Sequence, residues 1–158
     1  MSAIRVQILD ALTAKLRRDL GVGKSGRLLR EIRRAPWQPD ALAAPSITVS
    51  DAGSRRVEEN DGENQDTILR KNLTAVIVLD LPAQWDRDGG ADAYAGIVED
   101  IESIVVTFAA YPPARALGVI AGRVVQDEPV QAILASGESR QIWTIDIEIE
   151  HAARAAAQ

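Results

Sequence analysis

Residues 140–151, RQIWTIDIEIEH, alternate without a break, with Trp143, Ile145, Ile147 and Ile149 on one side and Thr144, Asp146, Glu148 and Glu150 on the other. No helix can sort side chains this way, because helical neighbours return to one face every 3.6 residues. The segment is therefore a strand with one dry and one wet face, and the dry face needs a covering layer. A second run, residues 72–81, repeats the pattern. Leu73, Ala75, Ile77, Leu79 and Leu81 share one side, Thr74, Val76, Val78 and Asp80 the other, and Pro82 ends it.

The covering layer is legible in two helical stripes. Ile4, Ile8, Leu12, Leu16 and Leu20 recur every four residues across positions 3–20, and Gly21 suits the left-handed cap of such a helix. Tyr94, Ile97, Val98, Ile101, Ile104, Val105 and Phe108 form a broader stripe across positions 91–110, closed by Pro112 and Pro113. Leu28, Leu29 and Ile32 suggest a short helical turn from Ser25 to Arg34, stopped by Pro36 and Pro39. Pro45 leads a short strand at 46–50, with Ile47 and Val49 on one side. Residues 51–71 are rich in Gly, Asn, Asp and Glu, too polar for a core and too long for a simple turn. They are expected to form a polar arm, mobile in a free subunit and ordered against a neighbour. Residues 118–126 and 129–135 are two strands, or one bulged strand, around Asp127-Glu128-Pro129. Residues 152–158 are expected to fray. The whole predicts a single α+β domain over 1–158. Its sheet is mainly antiparallel, of four to five strands, with two main helices packed on one face.

Composition narrows the chemistry. Cysteine is absent, which removes disulfides and thiolate sites and fits a reducing cytoplasm. The N-terminal helix carries charges where a secretory signal would be apolar, and no apolar run approaches the ~20 residues that span a bilayer. A soluble protein with no membrane partner is expected. Charge is uneven: residues 1–40 hold nine Lys/Arg and four Asp/Glu, whereas residues 41–158 hold nine and nineteen. Such asymmetry marks either nucleic-acid contact or head-to-tail contact between copies, positive surface against negative.

No candidate constellation meets the geometry of a catalytic or metal site. Gly21-Val22-Gly23-Lys24-Ser25 resembles the end of a phosphate-binding loop, but Arg18 stands where the first glycine belongs and a helix precedes it in place of a strand. Placing Gly62 or Gly89 at the sixth position of a calcium loop puts Ile68 at the bidentate position or Gln84 at the first. His151, the sole histidine, has no identifiable serine partner and is expected to be exposed. Asp146, Glu148 and Glu150 project from one strand face, towards water or a lumen. Lys24, Arg27, Arg30, Arg33 and Arg34, near Trp37, form a basic cluster with little aromatic interleaving, which favours a solvated or subunit-facing surface over a nucleic-acid module. No catalytic residue, metal or cofactor is expected.

Read in order, these segments resemble the phage tail-terminator and tail-completion (minor tail) proteins. The likeness lies in the opening ILDALTAKL helix, the ALAAPSITVSDAGSRRVEE segment, the NLTAVIVLDLP strand, the AYAGIVEDIESIVV helix and the closing QIWTIDIEIEH strand. The resemblance implies a structural virion protein with no catalytic residues. It implies a ring, typically of six subunits, assembled in the host cytoplasm. The ring would cap the tail tube and provide the surface for head–tail joining. The partners implied are further copies, the tail tube protein and a head–tail connector protein, with DNA passing through without specific binding. Asp146, Glu148 and Glu150 are then candidates for the channel wall, and Arg27, Arg30, Arg33 and Arg34 for a subunit interface. A head–tail connector or neck ring, or a non-viral α+β binding module, are the alternatives.

Overall fold

The two alternating segments become neighbours at the heart of one sheet. A computed structural model of the protein describes residues 3–21, 29–38, 45–56, 68–133, 136–137 and 139–154. In it β3 (Ile68–Asp80) pairs antiparallel with β5 (Ser139–Arg154), from Ile68↔Arg154 to Asp80↔Ile142. β2 (Ser46–Arg56) lies antiparallel on the far side of β3, and β1 (Glu31–Arg34) lies parallel to β2. β4 (Val119–Ile133) lies antiparallel on the far side of β5, giving the order β1-β2-β3-β5-β4. The fold is α+β, with a mainly antiparallel five-stranded sheet.

Both main helices, α1 (Ile4–Leu20) and α2 (Gly90–Val106), pack on one face of this sheet. Ile8, Leu9, Leu12, Leu16 and Leu20 of α1 meet Tyr94, Val98, Ile101, Ile104 and Val105 of α2 over Ile47, Val49, Leu73, Ala75, Ile77, Leu79, Ile145, Ile147 and Ile149. Every one of these strand residues lies on the side that alternation assigned to the interior. Gly21 adopts φ 66°, ψ 40° and its N–H bonds to Arg17 O, so the left-handed cap ends α1 as expected. Arg17 Nε also donates to Ile32 O at 2.9 Å, which ties α1 to β1. Gly122 of β4 passes so close to the Val105 carbonyl oxygen that a Cβ there would collide with it, so only glycine lets α2 approach this strand.

Several boundaries depart from expectation. Residues 31–34 are a strand, not part of a helical turn from Ser25 to Arg34. Leu29 and Ile32 are buried as foreseen, but Ile32 stands opposite Ile47, because the free side of β2 offers a backbone ladder that a single helical turn cannot match. Both ends of the polar arm are strand: 51–56 extend β2 opposite 71–75 of β3, and 68–71 extend β3 opposite 151–154 of β5. Backbone pairing carries these extensions through mostly polar sequence, with a bulge at Asp51/Gly53, where Asp51 Oδ1 accepts the Gly53 N–H at 2.7 Å. Residues 57–67, the rest of that arm, lie outside the described residues. Pro112 and Pro113 do not close α2; they open α3 (Pro112–Ala116), where a missing N–H is tolerated. Residues 108–110 between the two helices form a 3-10 turn that buries Phe108. β4 is one strand with two register shifts, and Pro129 fits because β4 is an edge. Residues 152–154 do not fray: Ala152 to Arg154 pair with Arg70 to Ile68.

Candidate interaction surfaces

With the helices on one face, the other is left to polar side chains. Asp146, Glu148 and Glu150 point there, level with Val76, Thr74 and Asn72 of β3. The row is not a set of free carboxylates. Arg123 of β4 reaches over it, with Nε 3.2 Å from Glu148, Nη2 3.7 Å from Glu150 and Nη2 3.4 Å from the Asn72 side-chain oxygen. Arg123 remains about half exposed, so these pairs are solvent-screened and orient the acids more than they stabilise the fold. Among the described residues no group of three or more His, Asp or Glu side chains is placed to hold a metal ion, the acidic row included.

At one end of this face Trp37, three residues after β1, helps to bury a carboxylate. Asp80, only 2% exposed, accepts a hydrogen bond from Trp37 Nε1 at 3.1 Å and from Arg140 Nε at 2.8 Å. Val78 and Ile142 are buried beside it on the face opposite the main core. A second indole–carboxylate pair forms on the helical side of the sheet: Trp143 Nε1 donates to Asp127 Oδ1 at 3.2 Å. Here the other partner is not a cation but Glu102 of α2. Its hydrogen bond to Asp127, with burial and the nearby charges of Asp127 and Glu99, pushes the Glu102 carboxyl up to about 7. Glu102 therefore keeps its proton in mildly acidic solution, where it hydrogen-bonds to Asp127.

The two sheet edges differ in length and charge. Among the described residues β1, four residues long, follows Arg30 and contains Arg33 and Arg34 beside an exposed Glu31, and Arg34 is held by Asp10 of α1 at 3.0 Å. Arg30 and Arg33 are exposed. β4 runs fifteen residues at the opposite edge, with Asp127 and Glu128 exposed. Among the described residues, three of the five exposed large apolar side chains lie on it: Ile120, Val125 at 59% and Ile133 at 77%. Ile120 and Val125 are the extra residues at its two register shifts.

Of the residues singled out in the sequence, Asp146, Glu148 and Glu150 do share a face, and Arg30, Arg33 and Arg34 share an edge; Lys24 and Arg27 lie outside the described residues. His151 is not exposed. β5 continues to Arg154, so alternation carries position 151 inward, where it is 2% exposed. Burial lowers its pKa; a hydrogen bond with the Ala152 backbone opposes this, and the Lys71 and Arg5 charges add to the lowering. Sequence reasoning missed Asp80, Arg123 and Arg140. Asp80 left one signal, an acid at the end of an otherwise apolar run. No helix among the described residues is long and apolar enough to cross a membrane. No protein-family model matches the chain, and no curated protein matches its sequence.

Proposed function

We propose that the chain is a structural subunit of a phage tail, a tail-terminator or tail-completion protein that closes into a ring, six copies being the working number. The observation that carries this reading is the β4 edge: fifteen residues long, without a strand neighbour among the described residues, and bearing three exposed aliphatic side chains. Long edges of this kind invite pairing with another chain. The uneven charge along the sequence supplies the different patches that a cyclic interface needs. In this reading the ring caps the tail tube in the virion, meets the head–tail connector, and lets DNA slide past the acidic open face without being held.

Electron microscopy of the purified protein, with and without tail tubes, tests the proposal. Annular particles, free or seated on tube ends, are the expected result. Particles that bind connectors but ignore tubes would favour the neck-ring alternative. A protein that stays solitary in light scattering and leaves tubes bare would overturn the reading.

A further inference from the structure

We propose that successive copies join edge to edge, the β1 edge of one copy against the β4 edge of the next, so that one sheet runs round the ring. The inference rests on the ring reading above and specifies its interface.

Strand direction makes the junction possible. β1 runs with β2, β3 runs against them, β5 runs with β2 again, and β4 runs against β5. The two edge strands of one copy are thus antiparallel. Two copies standing side by side, the same way up, bring β1 of one beside β4 of the other in antiparallel orientation, and neither has to be inverted. The contact is heterologous, one patch against a different one, which is the arrangement that rotation can close into a ring.

Local geometry and charge choose the stretch. β4 is interrupted by shifts at Val119/Ala121 and Val124/Gln126, but Gln126 to Ile133 pair with β5 without a shift. That regular stretch contains Asp127 and Glu128, with Glu99 and Glu102 of α2 on its helical side. The β1 edge offers Arg30 and Arg33, both exposed. A second copy therefore brings cations to a place where Glu99, Glu102 and Asp127 crowd one another. A four-residue β1 needs only part of the regular stretch.

In the proposed ring the helices, all on one side of the sheet, take the outside, where there is more room for a second layer, and Asp146, Glu148, Glu150 and Arg123 line the inside. Six copies of a five-stranded sheet, at about 4.8 Å per strand, give a circumference of roughly 140 Å and a backbone-to-backbone diameter of about 45 Å.

Charge exchange tests the junction. Arg33→Glu and Glu128→Arg both alter exposed side chains, and circular dichroism with thermal melting confirms folding before assembly is read. Each variant alone should require at least about tenfold more protein to form rings, because like charges meet at every junction. An equimolar mixture should recover rings in which the variants alternate, since both junction types are then complementary. If wild-type protein forms rings but either variant alone does so equally well, or the mixture fails to recover, the edge pairing is wrong while the ring reading stands. A wild-type protein that never forms rings overturns both.

Discussion

The sheet carries two indole–carboxylate pairs that differ in their third member. At Asp80, Trp37 is joined by Arg140; at Asp127, Trp143 is joined by Glu102. The first is electrostatically complete and can be buried. The second puts an acid where the first has a cation, so it stays near the surface and holds a proton that a carboxyl group in water would release. One corner is finished within the chain, and the other gains from a cation brought to it.

The largest effect is expected from breaking the complete pair. Asp80→Ala removes the buried carboxylate to which both Arg140 and Trp37 donate and should cost roughly 3–5 kcal/mol in urea unfolding. A loss under 1 kcal/mol would mean that the corner is wetter than its 2% exposure indicates. The indoles should then separate the two corners. Trp37→Phe removes a donor to a buried carboxylate and is expected to cost about 1.5–3 kcal/mol, against less than ~1 kcal/mol for Trp143→Phe, whose partner is exposed. Equal losses would erase the distinction. The smallest effect concerns pH. The Glu102 carboxyl is raised from 4.5 to about 7, so its contribution to stability is complete below 4.5 and is lost as pH rises through 7. Thermal melting between pH 4.5 and 8 should show this slope, and Glu102→Gln should flatten it. A buried histidine tilts the curve the other way. With its pKa lowered from 6.5, His151 adds stability above that value that is lost as pH falls through its folded pKa, so a comparison with His151→Leu isolates the Glu102 component.

What could be read in advance follows from how local each signal is. β3, β5 and the helical stripes were legible because period and burial agree along a single segment. Gly21 was legible because a helix end has its own chemistry. β1 was not: Leu29 and Ile32 suit a turn of helix as well as a strand, and only the free side of β2 decides between them. The strand extensions beyond 50 and before 72 were hidden because neither shows a sustained apolar alternation, and their pairing with partners distant in sequence decides their form. His151 was misjudged because the strand was expected to end with it; three further pairs, 152–154, keep it inside the sheet. At the candidate surfaces, alternation placed Asp146, Glu148 and Glu150 together but said nothing of Arg123, which arrives from a strand twenty-five residues before Glu148. The buried Asp80 corner depends on Arg140, sixty residues further along the chain, and on Trp37, forty-three residues before. No periodicity reports such meetings.

The strand order has a consequence for biosynthesis. β5 is made after the other four strands, yet it sits between β3 and β4. Until residues 139–154 emerge from the ribosome, β4 has no strand to lie against and β3 keeps one side bare. Before that, β4 can pack only on the helices, apart from the β1–β2–β3 unit, and β5 then locks the two together like a keystone. A subunit stalled before that point would expose sticky strands to its neighbours on the polysome, so chaperone demand should fall once residues 139–154 have emerged.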